Sequence, residues 1–126
     1  MTFELDIVGE APLGREEIER LAVLALASAA VADGHLAIEF VDEARIRELN
    51  REHRALDEPT DVLSFPIDGD ALLPAGPREL GDVVICPQHT VEVREAVVHG
   101  VLHLLGMDHE LDDGEMLALQ RELLSW

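Results

Sequence analysis

The sequence predicts an α+β fold: a single layer of four mixed strands packed with four to five helices, one of them buried and central. Three observations carry that prediction. Apolar residues alternate in some segments and recur at helical spacing in others, and the two kinds of segment interleave along the chain. The 126 residues, 48% of them apolar, contain no repeat, low-complexity tract or dividing linker, so residues 1–126 are expected to form one domain with a substantial core. No window offers the ~18 uncharged apolar residues that a membrane-spanning helix needs, so the apolar residues are available to that core.

Each element follows from its local pattern. Phe3, Leu5 and Ile7 alternate as a short half-buried strand, and Ala11-Pro12-Leu13-Gly14 ends it. From Arg15 to about Ala30, apolar positions 18, 21, 22, 25 and 29 recur at helical spacing. Glu16, Glu17 and Glu19 sit at the start of that helix, where its dipole favours them. Asp33-Gly34 reads as a turn, and His35 to Val41 as a second strand with Leu36, Ile38 and Phe40 on one face. Asp42 is placed to cap a helix running to about His53, with Ile46 and Leu49 inward.

A loop from Arg54 to Asp61 precedes a short strand, Val62 to Phe65, closed by Pro66. Ile67 to Glu79, with Gly69, Pro74, Gly76 and Pro77, reads as a surface loop. Val83 to Cys86 is a buried-type strand closed by Pro87. From about Thr90 to Leu105 the chain is apolar almost all round after Glu95, the pattern of a helix buried on most sides, and Gly106 is a fitting stop. A last helix starts at Asp112 or Asp113 and runs to Leu124, with Met116, Leu119 and Leu123 on one side.

Charge narrows the function classes. The chain holds 9 basic residues, all arginine, against 27 acidic ones, for a net charge of −18. Such a surface repels phosphate backbones at long range, so composition alone argues against a nucleic-acid partner. A single cysteine, Cys86, excludes an internal disulfide framework and fits a reducing, cytoplasmic setting. Met1 to Asp6 lacks the basic stretch and apolar block of a secretory signal.

One stretch points to chemistry. His99 and His103 are four apart, which stacks two imidazoles on one face of a helix. Gly106 lets the chain reverse so that His109 can swing back toward them. Three neutral imidazoles make a good Zn²⁺ site with a fourth position open, the arrangement of catalytic zinc. They leave the ion's charge intact, which acidifies bound water. A lone histidine on an apolar helix is usually packing; three unpaired imidazoles there would cost several kcal/mol without a partner. The His-x3-His-x5-His spacing resembles the zinc helix of metzincin proteases. Those place a glutamate after the first histidine as general base, and here Gly100 stands there, leaving that reading without its proton acceptor.

Taken with its neighbours, this segment resembles the YbeY family of bacterial single-strand-specific endoribonucleases, the rRNA maturation factors. His99-Gly-Val-Leu-His103-Leu-Leu-Gly106-Met-Asp108-His109 is similar to the family's signature. So are the blocks Leu49-Asn-Arg-Glu-His-Arg54 with Asp57-Glu-Pro-Thr-Asp-Val-Leu-Ser-Phe-Pro66, and Leu80-Gly-Asp-Val-Val-Ile-Cys86. The family usually has a longer stretch before the metal helix and a longer tail.

The resemblance implies a zinc-dependent nuclease, one Zn²⁺ per chain on His99, His103 and His109, acting on single-stranded rRNA precursor in 16S rRNA 3′-end maturation and ribosome quality control. It also implies small-subunit ribosomal proteins and assembly factors as partners, and no DNA or membrane. It marks Arg54 as the arginine near the metal, a forked, permanently charged donor suited to phosphate. The bland alternative for Arg54 is a salt bridge to Glu52, Asp57 or Glu58. Arg45, Arg47 and Arg51 on the same helix are expected to add a local positive cleft.

Asp61 reads as a turn residue. Asp108 either orients a histidine or holds the turn. Glu95, one turn before His99, is either an outer partner of the metal or a solvated helix start. His35, His53 and His89 show no ligand spacing, and Cys86 reads as buried and inert. Two other functions compete: a non-catalytic ribosome-assembly factor with a structural metal, and a zincin-like hydrolase of another ester or amide.

Overall fold

A computed structural model describes residues 2–29, 33–67, 79–106 and 114–125. In chain order these form β1 (Thr2–Val8), α1 (Arg15–Ser28), β2 (Asp33–Phe40), α2 (Glu43–Arg54), β3 (Val62–Pro66), β4 (Glu79–Ile85), the short 3₁₀ turn Pro87–His89, α3 (Val93–Leu104) and α4 (Glu115–Leu124). The sheet runs β1-β2-β4-β3, with β1, β2 and β4 mutually parallel and β3 antiparallel to β4. The α+β expectation of one mixed four-stranded sheet is met by four strands and four α-helices among the described residues.

Alternation along β2 sends Leu36, Ile38 and Phe40 to one face, where Leu5 of β1 and Val83 and Ile85 of β4 join them. That face is covered by α1 (through Ile18, Leu21, Ala22, Ala25 and Leu26), by α3 and by α4 (through Met116 and Leu123). Each fully buried Leu or Ile in this cluster contributes roughly 1.5–3 kcal/mol. On the opposite face α2 packs Ile46 and Leu49 against Leu63, Val84 and Cys86. The expected burial of Cys86 is confirmed.

Several boundaries differ from expectation for physical reasons. Asp33 and Gly34 are not a turn: they open β2, held in the ladder opposite Thr2 and Phe3, so strand pairing overrides their turn preference. Ala29 is the exposed C-cap of α1, and Leu26 takes the buried place expected of it. β4 starts at Glu79, earlier than expected, with an irregularity in its register at His35/Leu36. Helix α3 starts at Val93 because Glu92 caps it, its side chain accepting from the Arg94 N–H, while Pro87–His89 forms a separate turn. Residues 68–78, most of the expected surface loop, lie outside the described residues, as do the side chain of Phe3 and the proposed helix starts Asp112 and Asp113. The Asp42 cap is present, its carboxylate accepting from the Arg45 N–H at 2.9 Å.

Candidate metal centre and its cleft

The site begins with how closely α3 lies on the sheet. At Gly100 a Cβ would stand 2.4 Å from Val83 Cγ1 and 3.2 Å from Val62 Cγ2, so only glycine permits this approach. Ser64 Oγ donates to the Gly100 carbonyl at 2.9 Å, tying β3 to the same turn of helix. Position 100 thus faces the sheet. A glutamate there would collide with β4 rather than reach the histidines, which explains the missing proton acceptor as a packing requirement.

With Gly100 turned inward, His99 and His103 lie half-buried on the flank of α3 that meets α4. Their Nε2 atoms are 3.1 Å apart, and the rings meet edge to face at 73°. Ligands bonded to zinc at about 2.0–2.1 Å in tetrahedral geometry lie roughly 3.3 Å from one another. The spacing of this pair therefore fits a shared ion, and two imidazole nitrogens are a suitable donor set. Gly106 has φ of 94° just past the helix end, as its role of stop and reversal requires. His109 and Asp108 lie outside the described residues, and among those described no group of three metal-binding side chains occurs.

Behind the pair, His99 Nδ1 is 2.8 Å from Gln120 Oε1 of α4, and Gln120 Nε2 donates to Glu95 Oε1 at 3.0 Å. Glu95 is exposed, as a solvated helix start would be, yet it also reaches the histidine through this amide. A cleft of about 270 Å³ opens beside His99, lined among others by Asp61, His89, Thr90, Glu95 and Leu117. Asp61 behaves as a turn residue, its Oδ1 accepting from the Val62 N–H at 2.8 Å and from Thr60 Oγ at 3.2 Å. His89 lines the cleft and lies 3.5 Å from Glu43.

Arg54 is exposed in the last turn of α2, on the helix packed against the other face of the sheet, and does not line the cleft. Among the described residues its side chain makes no hydrogen bond or ion pair; Asp57, one of its expected partners, is held instead by Arg47 at 2.9 Å. That hydrogen bond, together with the charge, keeps the Asp57 carboxyl below its ordinary value. Arg45 is likewise paired, with Glu48 at 2.8 Å, so two of the arginines expected to build a positive cleft spend their charge on neighbours. The exposed ring of His53 packs edge to face on Phe65 at 4.8 Å.

Two residues escaped the sequence reading. Gln120 is 4% exposed; its place four residues after buried Met116 and three before buried Leu123 is the signal that could have found it. His35 is not ordinary: it bridges Asp6 at 2.7 Å and Glu79 at 2.6 Å across three strands. Its hydrogen bonds to Asp6 first and Glu79 second raise its pKa above the ordinary 6.5.

Known proteins resemble this chain in sequence and fold. The family model described as Endoribonuclease YbeY matches residues 11–126. A protein named Endoribonuclease YbeY from Azorhizobium caulinodans is 41% identical over 84% of this chain and 75% of its own length. Namesakes from Aquifex aeolicus (40%, over 86% of this chain and 78% of their own) and Bacillus cytotoxicus (37%, over 98% and 96%) are also similar. The solution structure of TM1509 from Thermotoga maritima superimposes with a TM-score of 0.59 at 31% identity, covering 96% of this chain and 87% of that one.

Proposed function

This chain belongs to the YbeY endoribonuclease family, and from that premise we propose that it is a zinc-dependent, single-strand-specific endoribonuclease of 16S rRNA 3′-end maturation and ribosome quality control. Metal dependence comes with the family. Assigning zinc to His99, His103 and His109 rests on one observation above all, the two Nε2 atoms facing each other at 3.1 Å. Zinc bound there supplies Lewis acidity to phosphodiester hydrolysis.

The chain's own residues do the rest. Arg54, exposed and without an intramolecular ion pair among the described residues, offers its guanidinium to a substrate phosphate. The cleft beside His99 receives the strand next to the scissile bond. Gly100 gives the reaction no general base, so a metalloprotease-like hydrolysis of amides lacks its proton acceptor.

The net charge of −18 limits affinity for free RNA, and screening confines that repulsion to about 8 Å at physiological salt. The enzyme therefore works docked on small-subunit ribosomal proteins or assembly factors, in the cytoplasm and as one domain. Among the described residues no helix is long and apolar enough to cross a membrane, and neither membrane nor DNA enters this reading. The same acidic surface favours one competing reading, a non-catalytic assembly factor with a structural metal.

Elemental analysis of untagged protein tests the assignment. The expected result is about one zinc per chain, lost in His103→Ala, with cleavage of single-stranded RNA lost in parallel. A wild type free of metal that still cleaves RNA would refute the zinc assignment. Zinc binding with no cleavage of RNA, free or on the small subunit, would favour the assembly-factor reading.

A further inference from the structure

We propose that Gln120 is a positioning residue that sets which nitrogen of His99 carries the proton, and that Glu95 holds the Gln120 amide in the orientation this requires. The inference rests on the reading of His99 as a metal ligand. Gln120 is one of two buried polar residues among those described, at 4% exposure. It sits on the apolar stripe of α4 between Met116 and Leu123, where a leucine would pack with no polar atom to satisfy.

Its two ends are engaged differently. The Nε2 amide can only donate, and it donates to Glu95 Oε1 at 3.0 Å. That leaves Oε1 aimed at His99 Nδ1, 2.8 Å away. An amide oxygen can only accept, so Nδ1 must carry the hydrogen. A neutral imidazole has one N–H, so Nε2 keeps its lone pair, on the side facing His103 Nε2 at 3.1 Å. The carboxylate of Glu95, which can only accept, forbids the flipped amide, because that flip would set oxygen against oxygen. Three side chains on two helices thus specify one tautomer, and it is the one a metal ligand bonding through Nε2 needs. Gln120 touches neither substrate nor the reacting atoms; it acts through His99.

A merely structural glutamine tying α4 to α3 would affect stability and leave the tautomer alone, so the test reads the tautomer. In ¹⁵N-labelled full-length protein, the His99 ring nitrogens are assigned by NMR at a pH where the ring is neutral, without metal. Zinc affinity is measured separately by chelator competition. The variants are Gln120→Leu and the exchange of Glu95→Gln with Gln120→Glu. In the exchange a carboxylate at 120 still accepts from Nδ1 while an amide at 95 donates to it.

Wild type is expected to hold the Nδ1–H form. Gln120→Leu is expected to lose that preference and to bind zinc about 10–100-fold more weakly. The exchange is expected to restore both. Wild type in the Nε2–H form, or a folded Gln120→Leu protein with unchanged tautomer and zinc affinity, overturns the inference. If Gln120→Leu fails to fold, the exchange decides: retention of Nδ1–H and of zinc supports it, and loss of either overturns it. A wild type that holds Nδ1–H and takes up no zinc keeps the positioning of His99 and refutes the metal assignment instead.

Discussion

Helices α3 and α2 cover opposite faces of the same sheet, and they do so in opposite ways. α3 is buried through seven of its twelve residues and lies so close to β4 that Gly100 has no room for a methyl group. Of its polar pair, His99 is held from behind by α4 and in turn meets His103. α2 buries three residues, Ile46, Leu49 and Asn50, on a narrow stripe and turns four arginines outward. Among the described residues it leaves the β1–β2 half of its face to Glu4, Asp6, His35 and Glu39. A helix packed as tightly as α3 can fix atoms to within the tolerance a metal demands. A helix packed as lightly as α2 can present charge without strain on the core. Changes on the buried face of α3 are therefore expected to register as stability, and changes to the exposed arginines of α2 as activity.

With the histidines left in place, the largest expected effect is on the α2 side. Arg54→Ala is expected to lower RNA cleavage by about 10²-fold while zinc content and urea midpoint stay at wild-type values. A shift in the urea midpoint with full cleavage would reverse the comparison. On the α3 side, Gly100→Ala forces a Cβ against Val83 and is expected to cost about 1–3 kcal/mol in urea unfolding. A neutral result would show that α3 can move off the sheet.

The open half of the α2 face is expected to give a smaller, pH-dependent signal. The raised folded pKa of His35 makes its contribution complete below the ordinary 6.5, and the contribution is lost as pH rises through the folded value. His35→Gln should flatten that part of a plot of urea midpoint against pH, and an unchanged slope would remove His35 as its source. Smallest is Ala55→Gly at the end of α2. Ala55 has φ of 59°, and glycine there is expected to stabilise by about 0.5–1 kcal/mol, read from the same unfolding curves.

The elements were legible in the sequence where local pattern and tertiary packing agree. The alternation of Leu36, Ile38 and Phe40 and the Asp42 cap were both found in place. Asp33-Gly34 misled because turn propensity is local, whereas a partner strand more than thirty positions away holds them extended. The histidine pair was legible because i, i+4 spacing on a helix dictates adjacency. Gln120 was not, since its meaning depends on α4 docking beside α3, and spacing within one segment cannot report that. The same holds for Arg45 and Arg47: their count suggested a positive cleft, but acidic neighbours one turn or one loop away neutralise them.

The order of the strands has a further consequence, for encounters between copies of the chain. Among the described residues β1 and β3 are the rims of the sheet, and a rim with unpaired backbone groups invites another molecule to add a strand. β3 is five residues long and ends in Pro66, which has no N–H to offer. β1 is longer, but it carries exposed Glu4 and Asp6, and a second copy approaching in register would bring like charges together. The acidity that hinders contact with free RNA thus also guards the sheet against edge-to-edge aggregation.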